Sequence, residues 1–399
     1  MNKKIEKVTD FLGLKRSLVA MLLMAIFVGL GEKMAERFLP IYLIALGGTP
    51  IIIGILNGMD NLLSALYSYP GGWLAEKLGY KKALLIFNLM AIFGYLLVII
   101  FPVWYAVLIG AIFFLSWTAI SLPATMDLVS ATLPPNKHAM GISMMSITKR
   151  IPMTLGPLLG GFFIMKFGTV QGVRYAFVAA IFFAIIALFV QQKLIEDKPQ
   201  KQNEETDGKK RKLFNANLRN LLVSDILVRF CEQIPYAFVV VWVMQNNKLN
   251  SMQFGVLTAI EMVTAMLIYI PVAYLADRGS RKPYIAITFF NFTIFPFFLS
   301  FCHSFTMFVI AFIIRGLKEF GEPTRKSLIL ALAPEGAKAS TFGTYYLIRD
   351  VIVSIAAFGG AWLWKASPQI NFYAASAFGL LGTLYFILKV HPQREQSIA

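Results

Sequence analysis

Charge is what this sequence is short of. Asp, Glu, Lys and Arg make up only 15% of its 399 residues, against roughly a quarter in soluble domains, so a large water-soluble protein with several cores is excluded. Cysteine is nearly absent. Cys231 and Cys302 both sit inside apolar blocks, which gives neither a disulfide framework nor a metal site. The three histidines, His138, His303 and His391, are isolated and lie near the ends of apolar blocks or between them. No hydrolytic or redox constellation is visible, and nothing calls for a cofactor. The phosphate-cradling pattern G-x-x-x-x-G-K-[ST] does not occur, and there is no soluble stretch large enough to hold a nucleotide.

What is present is apolar sequence in long blocks. Hydrophobic residues reach 57% and mean hydropathy is +0.66. The blocks are long enough to cross a bilayer, which takes about 20 residues. Twelve candidate spans are expected near 18–46, 50–75, 83–101, 103–131, 139–165, 174–193, 217–245, 251–275, 283–302, 305–332, 339–365 and 370–388. The basic start MNKKIEKVTDFLGLKR could mimic a signal peptide, but no small-residue cleavage site follows, so a retained first helix is expected. The stretch IEDKPQKQNEETDGKKRKLFNAN reads as a flexible linker. Expected domains are therefore 1–194, a linker 195–216, and 217–399.

The net charge of +16 would suit nucleic acid, but its distribution argues otherwise. Lys3, Lys4, Lys7, Lys15, Arg16, Lys77, Lys81, Lys82, Lys137, the linker bases, Arg278, Arg281, Lys282, Lys338, Lys389 and Arg394 fall on one side of the alternating spans. Lys166, Arg174, Lys248 and Lys365 fall on the other. Basic connections stay inside. The expectation is a multi-pass protein of a bacterial cytoplasmic (inner) membrane, with both termini and the linker cytoplasmic, and no nucleic-acid partner.

The two halves repeat. GGWLAEKLGYKKALL (71–85) after the second span corresponds to VAYLADRGSRKPYIA (272–286) after the eighth. SLPATMDLVSATLP (121–134) aligns with GEPTRKSLILALAP (321–334). Arg150 and Gly160-Gly161 match Arg349 and Gly359-Gly360. Parallel repeats of this kind place a binding site between them near the bilayer midplane.

These residues carry a family resemblance. Gly71, Gly72, Leu74, Glu76, Lys77, Gly79, Lys81 and Lys82 follow the loop signature G-x-L-a-D-r-x-G-r-r/k of the major facilitator superfamily (MFS) of secondary transporters. Leu275, Asp277, Arg278, Gly279, Arg281 and Lys282 follow it again, and Glu76 replaces the usual aspartate in the first copy. The resemblance covers essentially the whole chain. It implies an all-α membrane protein with two six-helix bundles related by a pseudo-two-fold axis along the membrane normal. It also implies secondary active transport by alternating access. The acids Glu76 and Asp277, with Lys81, Lys82, Arg278 and Arg281, are the expected gating contacts, since an acid at a helix end can pair with bases or with a helix N-terminus. The bland alternative for the bases is a plain positive-inside anchor.

Charges also occur inside the spans. Lys33, Arg37, Lys149, Arg150, Arg229, Arg315, Lys318, Arg325, Lys326 and Arg349 all belong to spans one, five, seven, ten and eleven. The apolar stretches of the third, sixth, ninth and twelfth have none, and the resemblance makes those four the lipid-facing helices. A charge at the bilayer centre costs about 2.5 kcal/mol or more, so these side chains must meet one another, acids or water. At about 100° per residue, Arg315, Lys318, Glu319, Glu322, Arg325 and Lys326 share one helix face. So do Asp225, Arg229, Glu232, Gln233 and Tyr236, and so do Glu32, Lys33, Glu36, Arg37 and Pro40. The pairs Lys33/Glu36 and Arg229/Glu232, followed by Pro40 and Pro235, are pseudo-symmetric counterparts.

Glu36-Arg37-Phe38 with Glu32 upstream resembles the first-helix motif E-x-x-E-R-F of proton-coupled peptide transporters. Here the acids are spaced E-x-x-x-E, and Pro40 with Tyr42 stands where the tyrosine pair would be. GPLLGG (156–161) resembles the G-P-x-x-G-G motif of proton-coupled antiporters. Without a nucleotide site, energy must come from a gradient. Glu32, Glu36, Glu232, Glu261, Glu319 and Glu322 are embedded carboxylates, and all but Glu261 are the expected proton-coupling acids, since burial and departing bases both favour protonation. Arg37, Arg150, Arg229 and Arg349, with Lys318, Tyr236 and Tyr345, are the expected substrate-binding residues, because arginine forks suit carboxylates and phosphates. The cargo is then a small anionic or zwitterionic organic solute, and the chain a monomer bound by membrane lipid. Two alternatives stay open: a multidrug/proton antiporter for lipophilic cations, and a lipid flippase or non-transporting receptor.

Overall fold

The computed structural model describes residues 16–115, 138–194, 214–276, 281–334 and 338–390, which are helices joined by turns and short connections. The α-helices are α1 (Arg16–Glu36), α2 (Leu39–Ala45), α3 (Pro50–Leu78), α4 (Tyr80–Ile100), α5 (Trp104–Phe114), α6 (His138–Phe167) and α7 (Thr169–Leu194). They continue with α8 (Ala216–Gln233), α9 (Val239–Val241), α10 (Ser251–Ala276), α11 (Arg281–Leu299), α12 (Phe305–Leu317), α13 (Glu322–Leu332), α14 (Lys338–Ala366) and α15 (Pro368–Lys389). Among the described residues eight helices are long and apolar enough to cross a membrane, and α5 and α12 are shorter apolar helices.

The expected continuous spans 18–46, 217–245 and 305–332 are each interrupted. The first breaks at a turn between α1 and α2, with Pro40 in the first turn of α2. The seventh stops at Gln233 and continues past Pro235 as a tight 3₁₀ turn (Tyr236–Phe238), α9 and a π turn (Trp242–Asn246). The tenth breaks between Leu317 and Glu322, again with a proline in the new first turn. Proline cannot donate to the preceding turn and its ring crowds it, so each break falls where the sequence puts one.

The chain forms two compact units, one of Met1–Ile52, Leu62–Glu205 and Val243–Ala259, the other of Ile53–Asn61, Thr206–Trp242 and Ile260–Ala399. In the first, α1 packs on α6 and α7, and α4 packs on α5 and α7. A Cβ on Gly160 of α6 would strike the Met34 carbonyl of α1. Helix α7 shows how one helix serves two solvents. Gly172, Val173, Ala176, Phe177, Ala180, Ala184 and Ala187 are buried, while Phe182 and Phe189 on the other face stand 61% and 63% exposed. Such bulk would be refused by water and suits lipid tails.

In the second unit α8 packs on α14 and α15, and α11 on α12 and α15. A Cβ on Gly360 of α14 would strike the Ile234 carbonyl that follows α8. This repeats the Gly160–Met34 contact 200 residues later. Asn371, fully buried, donates to the Gly360 carbonyl at 2.8 Å and the Ile234 carbonyl at 3.3 Å. Both cysteines are free and buried, and the Cys231 thiol donates to the Phe292 carbonyl at 3.2 Å.

Candidate functional site: ion pairs at interrupted helices

The charges gather where the helices stop. Arg315 lies in the last turn of α12 and Lys318 is its C-cap, while Glu322 opens α13. Bases near a helix C-terminus and an acid at an N-terminus complement the exposed carbonyls and N–H groups there. In the second unit these ends bring together a chain of alternating sign. Arg315 Nε is 3.3 Å from Glu261. Lys318 Nζ reaches Glu261 at 3.5 Å and Glu232 at 2.7 Å. Arg229 holds Glu232 at 2.6 Å and Glu322 at 3.1 Å. Arg325 grips Glu322 at 2.6 Å and also pairs with Asp225. Arg349 lies 3.5 Å from Asp225 and 2.7 Å from Asp350. Lys326, on the exposed side of α13, stands 3.7 Å from Glu322. Among the described residues six bases thus meet five acids, drawn from α8, α10, α12, α13, α14 and the turn after α12.

Aromatic rings line this chain. The Arg315 guanidinium sits over Tyr236 at 5.7 Å, Phe295 at 5.2 Å and Phe312 at 5.6 Å. Arg349 stacks on Tyr346 at 4.1 Å. The Tyr345 hydroxyl donates to Asp225 Oδ2 at 3.1 Å, and Arg325 donates to the Tyr346 hydroxyl at 3.2 Å. Arg325 and Asp225 are both 0% exposed.

Of the substrate-binding candidates, Arg229, Arg349, Lys318, Tyr236 and Tyr345 meet on this chain. Glu232 and Glu322 of the proton-coupling set join them. Glu319 lies half-buried in the turn between α12 and α13. Arg37, Arg150, Glu32 and Glu36 belong to the first unit. There Lys33 donates to Glu32 at 3.0 Å and also to Glu36. Arg37 occupies the turn after α1 and is half-buried. Arg150 is half-buried on α6, and its carbonyl accepts the Thr154 hydroxyl at 2.8 Å.

The gating candidates are described in part. Asp277 and Arg278 lie outside the described residues, as does the side chain of Glu76 on α3. Lys81 donates to the Gln192 carbonyl in the last turn of α7 at 3.0 Å, and Lys282 donates to the Ile387 carbonyl in the last turn of α15 at 2.7 Å. Each is a basic side chain on a helix C-terminus, and the two correspond between repeats. Lys82 is exposed, and Arg281 begins α11 half-buried.

Sequence reasoning gave no site role to Asp225, Arg315 or Arg325, and placed Glu261 only among the embedded acids. Asp225, Arg315 and Arg325 lie on the polar faces the sequence displays. Glu261 is the lone acid of α10, and an acid that stands alone in an apolar helix signals a partner on another helix.

An all-α bundle with exposed apolar faces and charges at helix breaks is a multi-pass membrane protein. The chain belongs to the Major Facilitator Superfamily, whose model matches residues 21–231 and again 221–399. The uncharacterized MFS-type transporter MJ1317 of Methanocaldococcus jannaschii is 19% identical over 381 residues, 90% of this chain and 91% of that protein. A POT family transporter solved in complex with 5-aminolevulinic acid superposes with a TM-score of 0.76 at 13% identity, covering 93% of this chain and 95% of the other. A bacterial homologue of the iron transporter ferroportin in an inward-facing state gives 0.74 at 13%, covering 93% and 98%. At that identity the likeness shows the fold alone. The protein is a membrane transporter of the MFS type, and its cargo must be read from its own residues.

Proposed function

We propose that the protein moves a small anionic or zwitterionic organic solute across a bacterial cytoplasmic membrane by alternating access, coupled to protons. The observation that carries this reading is the chain of buried ion pairs in the second unit. Leaving one charge uncompensated in a low-dielectric interior costs several kcal/mol. An oxyanion that binds Arg229 and Arg349 draws these bases away from the acids they now pair with. Glu232 or Glu322, left without its base, then takes up a proton with the cargo. Interrupted helices support the same reading, since they expose backbone groups to a bound solute.

In this reading the halves 1–194 and 217–399, joined by the linker 195–216, exchange access. Glu32 and Glu36 are further proton carriers, Arg37 and Arg150 are further substrate-binding residues, and Glu76, Lys81, Lys82, Asp277, Arg278 and Arg281 are the gating residues. The chain acts as a monomer with both termini cytoplasmic.

The test begins with a thermal-shift screen of metabolites and lipophilic cations on the purified protein. Flux of the strongest ligand is then followed in liposomes with an imposed pH gradient. Flux of an organic anion that rises with the gradient is expected. Flux indifferent to the gradient removes proton coupling. Cation binding that survives Arg229→Gln and Arg349→Gln removes the anion reading in favour of a cation antiporter.

A further inference from the structure

Around Asp225 hydrogen bonding is incomplete on both the acid and the base side. Glu232 gives one oxygen to Arg229 and the other to Lys318. Glu322 gives one oxygen to Arg325 and shares the other between Arg325 and Arg229. Asp225 differs. Its Oδ2 takes Arg325 and the Tyr345 hydroxyl, while its buried Oδ1 accepts no hydrogen bond.

Two arginines face Asp225 without closing on it. Arg229 Nε stands 3.8 Å from Oδ1, and Arg349 Nη1 stands 3.5 Å from Oδ2. Both nitrogens are buried and neither donates a hydrogen bond. Arg349 as a whole is only 8% exposed. A buried N–H on a charged group is costly to leave without an acceptor. These donors come from two helices, α8 and α14, and both lean toward one carboxylate. The Tyr346 ring at 4.1 Å fixes the plane of the Arg349 guanidinium, so its spare edge is held in place rather than free to turn elsewhere. The larger share of the set's residual exposure is on Arg229, whose side chain is 18% accessible against 9% for Arg349.

We infer that Asp225 is a resident counter-anion: it neutralises Arg349 and Arg229 in the empty protein, and an oxyanion on the solute binds by taking their unused N–H groups in competition with it. This rests on the anion reading above and adds the residue that sets its affinity. Asp225 makes the empty site affordable in hydrocarbon and weakens the hold on cargo, so that cargo can leave. The ligand group is a carboxylate, sulfate or phosphate, each able to accept two arginine N–H bonds.

The experiment uses the full chain in detergent micelles. Sodium succinate and sodium sulfate are titrated against sodium chloride at matched ionic strength, and the half-saturating concentration is read from thermal unfolding. In Asp225→Asn that concentration should fall at least tenfold, for succinate if the site takes carboxylates and for sulfate if it takes tetrahedral oxyanions. Arg349→Gln should raise it at least tenfold. Asp225→Ser, a smaller neutral replacement whose hydroxyl can still accept from Arg325, gives the same tenfold gain if the asparagine variant folds poorly. A purely structural Asp225 would lower the unfolding temperature with no gain in affinity. If Arg349→Gln weakens binding while neither Asp225 variant strengthens it, the counter-anion is refuted and the anion site stands. If no variant differs from the starting protein, both fail.

Discussion

Arg325 shows what a membrane interior demands of one side chain. It is sealed from solvent, and it survives there because Nη1 meets Asp225 while Nε and Nη2 meet Glu322. Removing one partner of a buried ion pair leaves the other charge stranded, at a cost of roughly 3 to 5 kcal/mol. Arg325→Gln should therefore destabilise the protein by about that amount, read from denaturant unfolding in micelles. Arg325→Lys should recover little of it, because an ammonium cannot reproduce the planar fork. The sequence displays the need for such pairing, since ten bases stand in apolar spans. It does not display the partners. Asp225 reaches Arg325 across 100 residues and Glu261 reaches Arg315 from another helix, and helical periodicity speaks only to neighbours on one helix.

Two kinds of element carry the fold: helices that stop early and helices that come unusually close. The stops were partly legible, because Pro40 and Pro235 follow matching charged pairs. The tight turns and short helix after Pro235 were not, because proline says where a helix fails but not what replaces it. Close approach was legible as the repeated glycine pair, and the structure separates its members. Gly360 lies against the Ile234 carbonyl, whereas a Cβ on Gly359 would meet nothing within 4 Å. Gly360→Ala should cost about 1 to 3 kcal/mol through forced separation of packed helices. Gly359→Ala should be neutral or stabilise by up to about 1 kcal/mol, since it removes conformational freedom from the unfolded chain and favours the helix. Thermal unfolding of the two variants side by side checks the contrast.

For the molecule as a whole, composition alone argued against a soluble protein, and the third, sixth, ninth and twelfth expected spans, whose apolar stretches carry no charge, became α4, α7, α11 and α15. Each carries large exposed apolar side chains: Phe93, Phe182, Phe290 and Leu388. Orientation rests on the asymmetry of Lys and Arg, and a chemical probe reads it. Lys82 and Lys166 are both exposed and fall on opposite sides of the expected topology. In otherwise unaltered chains, Lys82→Cys should react with a membrane-impermeant maleimide only from the cytoplasmic face, and Lys166→Cys only from the outer one. The reverse pattern would invert the topology. That assay has a convenience built into the fold. Because both native thiols are walled off inside the protein, the parent chain is already a blank slide for sulfhydryl labelling. A reporter pair for distance measurements during turnover can be written onto it without first stripping anything out.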